Sequence, residues 1–171
     1  MRWCEGWCQC EGWCQEPRRR DWSDDWAGVH SAAMNLRPEL FLSFDGQCDA
    51  AFEFYARALG GTVGALFRWG NSPMAAEAPE GWAAKVLHGS VSFGGWTIAG
   101  ADVPMCQALQ GFSILLNVDA PEDATRAFDA LSENATVIIS LQETFWSARY
   151  GKLVDQFGVA WEINCQQEPA R

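Results

Sequence analysis

The 171-residue chain is short of positive charge. Its 12 Lys and Arg stand against 22 Asp and Glu, a net charge of −10 at neutral pH. A nucleic-acid binder neutralises phosphates with a basic patch, so this balance argues against that role. No apolar run approaches the ~20 residues that span a bilayer. The N-terminus has no apolar stretch of the secretory kind, and Glu5, Glu11 and Glu16 interrupt it. These absences point to a cytoplasmic protein whose thiols stay reduced. Histidine is also scarce, with two in the chain. There is no Ser/His/Asp set with a histidine to spare, and no G-x-S-x-G elbow. Gly60, Gly61 and Gly64 follow a helical pattern rather than a strand, so they are not a dinucleotide fingerprint. A P-loop and the glycine-rich loop of methyl-donor enzymes are missing as well.

What is present is an ordinary globular balance, 49% apolar and 20% charged, with one anomaly. Trp3, Trp7, Trp13, Trp22 and Trp26 crowd the start of the chain together with Cys4, Cys8, Cys10 and Cys14. There CEGWCQ occurs twice in tandem. Perfect short repeats usually record a duplicated DNA segment rather than a fold. The cysteine spacing does not match the paired C-x₂₋₄-C modules of structural zinc sites. Cys48, Cys106 and Cys165 are scattered and the total of seven is odd, which argues against a disulfide framework. The chain therefore divides into a leader over 1–33, a domain over 34–165 and a tail over 166–171. Globular patterning begins just after Met34.

From Pro38 the pattern runs twice. Residues 39–44 (ELFLSF) read as a strand and 47–59 as an amphipathic helix with Ala51, Phe54, Tyr55, Ala58 and Leu59 on one face. Gly60 and Gly61 stop that helix. Strand-like runs follow at 62–69, 84–93 and 96–99, with a polar loop over 71–81. The second pass has a strand at 112–118, a helix at 121–133 opened by Pro121, a strand at 136–140, and a hairpin of 148–154 and 159–164 around DQFG. A shift of 74 residues lays Phe41 and Leu42 on Leu115 and Leu116, Asp45 on Asp119, and Phe54 on Phe128. This predicts an α+β fold of two βαβββ modules (about 38–100 and 111–164), each with an open sheet face to bury.

Three segments carry a resemblance: FDGQCDAAFEFYARALGG (44–61), LHGSV (87–91) and QETFWSARYGKLVDQFGVAWEIN (142–164). In these the chain resembles the PhnB-like branch of the glyoxalase/bleomycin-resistance/extradiol-dioxygenase (vicinal oxygen chelate) superfamily. The resemblance implies sheets curled around a cavity, with metal ligands, where present, on the first and last strands of each module. Carried over through the 74-residue shift, those places are Glu39, His88, Ser113 and Glu162. Glu39, His88 and Glu162 could hold Mn²⁺, Fe²⁺, Ni²⁺ or Zn²⁺ as a Lewis acid, but Ser113 leaves the set incomplete. A lone histidine on a strand is commonly structural, and Glu39 suits an exposed strand start. Phe145, Trp146, Trp96 and Trp69 are candidates to line the cavity or to fill core. Cys48 lies at a helix start, but Asp45 and Asp49 oppose a thiolate there.

The expected ligand pocket is therefore His88, Glu162, Ser113, Trp146, Phe145 and Trp96. Three functions compete. One is binding of a small hydrophobic or cationic molecule, as in bleomycin-resistance proteins. Another is a metal-dependent isomerase, lyase or dioxygenase. The third is a non-catalytic dimeric structural protein. Members of the superfamily pair chains, which implies a homodimer. A chain beginning at Met34 is expected to fold and bind as the full chain does. Loss of cooperative melting on that truncation, followed by circular dichroism, would refute the division.

Overall fold

The computed structural model describes residues 38–107 and 110–166. The CEGWCQ leader and the tail beyond Gln166 lie outside the described residues. Strand β1 (Leu40–Phe44) leads into helix α1 (Cys48–Leu59), then into the short strands β2 (Thr62–Val63) and β3 (Phe67–Arg68). Two 3-10 turns, Trp69–Asn71 and Ala75–Glu77, precede β4 (Val86–Phe93) and β5 (Trp96–Asp102). The second module is β6 (Ile114–Val118), α2 (Pro121–Leu131), β7 (Thr136–Gln142), β8 (Ser147–Val154) and β9 (Ala160–Gln166). The first sheet runs β1-β5-β4-β2 with β3 also on β4, and the second runs β6-β9-β8-β7. In each, the first strand lies parallel to the last and the other pairs are antiparallel. The fold is α+β, two βαβββ modules, as the patterning predicts. Among the described residues no helix is long and apolar enough to cross a membrane.

The strand predicted over 62–69 is broken in two. Its continuation is the turn at Trp69, and the polar loop that follows carries the second 3-10 turn. The last strand of each module is longer than the alternation suggested, reaching Asp102 and Gln166. Helix α1 buries Ala51, Phe52, Phe54 and Tyr55. Phe52 falls outside the single face read from the sequence because α1 is covered on two sides. Phe52 packs against Phe44 of its own sheet, while Phe54 and Tyr55 meet Phe157 of the second module. The approach to the sheet is close. A Cβ on Gly100 would lie 2.6 Å from the Leu42 carbonyl oxygen and 2.9 Å from the Phe52 ring.

Two buried aspartates anchor the frame. Gln47 gives the start of α1 no side-chain cap. Asp102, at the end of β5, accepts instead from the Cys48 N–H at 2.8 Å and from the Val86 N–H at 2.7 Å. Asp155 opens the turn between β8 and β9. Its Oδ1 accepts from the N–H groups of Phe157 (2.8 Å) and Val159 (3.0 Å). Its Oδ2 accepts from the Tyr55 hydroxyl at 2.7 Å and from the Trp161 indole N–H at 2.8 Å. A buried carboxylate is tolerated only with its acceptors filled, and here they are. Tyr55 thus ties α1 to the second module, and burial together with Asp155 pushes its hydroxyl far above the usual tyrosine range. Tyr55→Phe removes one bond to a charged acceptor and is expected to cost about 1.5–3 kcal/mol in urea denaturation. An unchanged midpoint would show that the Tyr55–Asp155 bond does not join the modules.

Candidate functional site

The internal repeat positions the candidate residues, but its offset is not constant. β1 and β6 begin 74 residues apart, at Leu40 and Ile114, whereas β5 and β9 begin 64 apart, at Trp96 and Ala160. The first module has a longer connection between its helix and its third strand, and the shift shrinks across it. Register gives the true correspondence. Leu115 pairs with Glu162 and Glu162 with Lys152. In the first module Phe41 pairs with Ala99 and Ala99 with Ser90. The counterpart of Glu162 is therefore Ala99, not His88. His88 lies on β4, two residues before Ser90, where the second module has Tyr150 two residues before Lys152. Its ring lies 6.0 Å from that of Phe41, and the side chain is exposed.

On the second sheet the strands bring together a polar group that the sequence reading captured only in part. Gly151 faces α2, where a Cβ would meet the Phe128 ring at 2.6 Å, so its neighbours Tyr150 and Lys152 project from the opposite face. There Glu162 accepts three hydrogen bonds. Ser113 Oγ donates to Oε1 at 2.6 Å, Lys152 Nζ to the same oxygen at 2.9 Å, and the Tyr150 hydroxyl to Oε2 at 2.8 Å. The Ser113 hydrogen bond, then that from Lys152, lowers the Glu162 carboxyl from 4.5 to about 2 against the opposing effect of burial. Burial and the bond to Glu162 raise the Tyr150 hydroxyl above its usual range. The rings of Tyr150 and Trp146 meet edge to face at 5.7 Å, and those of Trp146 and Phe145 at 4.5 Å. Both Phe145 and Trp146 are exposed.

A cleft of about 760 Å³ adjoins this group. It lies between the modules. Leu40, Leu59, Phe93, Trp96 and Ile98 line it from the first, and 112–118 with Asp123, Arg126 and Ala127 from the second. Ser113 belongs to both places, lining the cleft while donating to Glu162. Of the six residues expected to form a pocket, Ser113 and Trp96 line this cleft and Glu162 reaches it through Ser113. Phe145 and Trp146 stand on the approach to β8, and His88 is on the other sheet. Trp69 is partly buried in its turn, with an indole N–H that meets no acceptor among the described residues. Lys152 and Tyr150 were missed. Their alternation with Glu162 across the DQFG hairpin was the available signal.

The donor set within one chain does not suit a metal centre. Glu39 and His88 belong to the first sheet's side of the molecule, and Ser113 and Glu162 to the second. The Glu162 oxygens already accept two hydroxyls and an ammonium. Among the described residues no three His, Cys, Asp or Glu gather closely enough to hold an ion. Cys48 is buried, and its thiol is pushed up to about 12 by burial, with Asp102 and Asp49 adding to the shift. That is the opposite of what a nucleophile needs.

A fold of two βαβββ modules carrying a cleft at their junction is that of the vicinal oxygen chelate proteins. The family model described as the Glyoxalase/Bleomycin resistance protein/Dioxygenase superfamily matches residues 39–163, and the chain belongs to that superfamily. It is 33% identical over 154 residues to Protein YjdN of Escherichia coli K12, a match covering 81% of this chain and all of that one. The crystal structure of protein PA1353 from Pseudomonas aeruginosa is 38% identical with a TM-score of 0.69, covering 78% of this chain and 99% of that one. The PhnB protein from Bacillus cereus, titled a putative 3-demethylubiquinone-9 3-methyltransferase, is 19% identical with a TM-score of 0.65 over 76% of this chain and 99% of that one. At that identity the likeness is one of fold.

The lowered Glu162 carboxyl sets a sign. A depressed carboxylate contributes stability above its unfolded value near 4.5 and loses it as pH falls through about 2. Carbon-detected NMR is expected to find Glu162 still ionised at pH 3.5, and Ser113→Ala to move its titration upward. Titration near 4.5 in the unaltered protein would show that the three donors do not hold it.

Proposed function

We propose that the chain binds a small hydrophobic or cationic molecule in the cleft between its modules. The supporting observation is the cleft itself. Its volume lies within the range of small-molecule sites, and its walls are mostly apolar, with Trp96 and Phe112 among them. Asp123 and Arg126 at its edge pair with each other and leave the lining without net charge, so the preference for a cation over an anion rests on the net charge of −10 of the chain. The open strand edges support a homodimer. β1 and β6 each pair on one side only among the described residues, and Phe41 on β1 is exposed. A cytoplasmic setting fits the free thiols among the described residues, Cys48, Cys106 and Cys165.

The test is a titration with a neutral dye such as Nile red. Binding at about one site per chain is expected, with Ala127→Trp, which fills the cleft, weakening it at least tenfold. The variant's fold is checked by circular dichroism. Equal binding by the variant would remove the cleft from consideration. Stoichiometric divalent metal in the purified protein, lost in His88→Ala and Glu162→Ala, would replace this reading with the metal-dependent enzyme.

A further inference from the structure

The side-chain charges on the cleft wall cancel, because Asp123 and Arg126 pair with each other. The backbone adds a charge of its own. Helix α1 ends at the cleft, with Ala58, Leu59 and Gly60 among the lining residues. The last four carbonyls of a helix have no partner within it. Gly60 turns the chain there with a φ of 66°, and its N–H and that of Gly61 both go to the Ala56 carbonyl. Among the described residues no backbone N–H is left to meet the carbonyls of Arg57, Ala58 and Leu59. These oxygens form the negative end of the helix dipole. A basic side chain in the last turn often answers that end, and Arg57 stands there. Its guanidinium is engaged elsewhere, with Glu133 at 2.8 Å and over the Phe54 ring at 5.6 Å, and Arg57 does not line the cleft.

Taking the cleft as the binding site, as proposed above, we propose that its ligand is a primary amine with a flat apolar body. The ammonium sits on the carbonyl end of α1, and the body lies along Trp96 and Phe112 on the cleft wall. An ammonium has three N–H bonds to give, and the helix end offers three unmatched oxygens. A carboxylate in that place would meet oxygens where it needs donors. Trp96 is 73% exposed, so its ring has surface left for a ligand to cover. The net charge of −10 draws a cation toward the protein, and the helix end fixes where it stops. The polar group on the second sheet takes no part, because neither Lys152 nor Glu162 lines the cleft.

The test is isothermal titration calorimetry of the full chain with 2-naphthylmethylamine and its neutral isostere 2-naphthalenemethanol. It is run near 1 M salt, where the Debye length is about 3 Å and the overall charge of the chain is screened. The amine is expected to bind at least tenfold more tightly than the alcohol. Ala58→Lys, which sets a cation at the helix end, should abolish that preference. Ala58→Met, similar in length but uncharged, should keep it, which separates charge from bulk and from loss of fold. The double change Asp123→Asn, Arg126→Gln should keep it as well. The trimethylammonium analogue has no N–H to donate and should lose most of it. Equal binding of amine and alcohol overturns the proposal. So does a preference that survives Ala58→Lys, that vanishes with the Asp123–Arg126 pair, or that the trimethyl compound matches. In each of these cases the cleft reading stands, provided that both naphthalene compounds displace Nile red and bind less tightly to Ala127→Trp.

Discussion

The buried carboxylate of Asp155 is the constraint on which the arrangement of the two modules rests. An acidic group away from water is costly unless each acceptor is matched, and the four donors around Asp155 come from three places. Two are backbone N–H groups of its own turn, one is the indole of Trp161 on β9, and one is the hydroxyl of Tyr55 on α1. Satisfying it therefore requires the hairpin, the last strand and the other module's helix to be in place together. Around it Tyr55, Phe54, Phe157 and Trp161 stack at ring distances of 5.2–6.0 Å. Apolar burial supplies the bulk of the attraction, and the carboxylate sets the orientation.

That orientation creates the cleft. With Tyr55 of α1 held against Trp161 of β9, the end of α1 and the β4–β5 turn face residues 112–118 across a cleft. Ser113, just before β6, reaches Glu162, so the start of this edge strand touches both an apolar cleft and a polar patch. Ser113 is the hinge between the two environments. It lines one and donates to the other.

Much of this was legible in the sequence. Alternating apolar runs, the glycines after Leu59 and Pro121 at a helix start placed both helices and most strands within a few residues. The offset of 74 was right for β1, α1 and β6 because nothing is inserted between them. It failed beyond the helix because loops change length freely while paired strands keep register. That failure produced the false equivalence of His88 with Glu162. Ser113 and Glu162, the places the family resemblance implied on the second module, do lie side by side, because both were read from strands of one sheet. The Asp155–Tyr55 bond was not legible, because it joins residues 100 apart in the chain and no periodicity reports such a contact. Lys152 was within reach, given only the hairpin register around its turn.

The two modules have diverged on their helix-free faces. Ala99, Ser90, His88 and Phe41 occupy in one the places that Glu162, Lys152, Tyr150 and Leu115 occupy in the other. The consequence is an unequal freedom to change. Each residue of the first face can be exchanged without orphaning a buried charge. On the second, loss of Glu162 leaves the Lys152 ammonium and the Ser113 and Tyr150 hydroxyls without the acceptor they share. Duplication has left one copy freer to drift than the other.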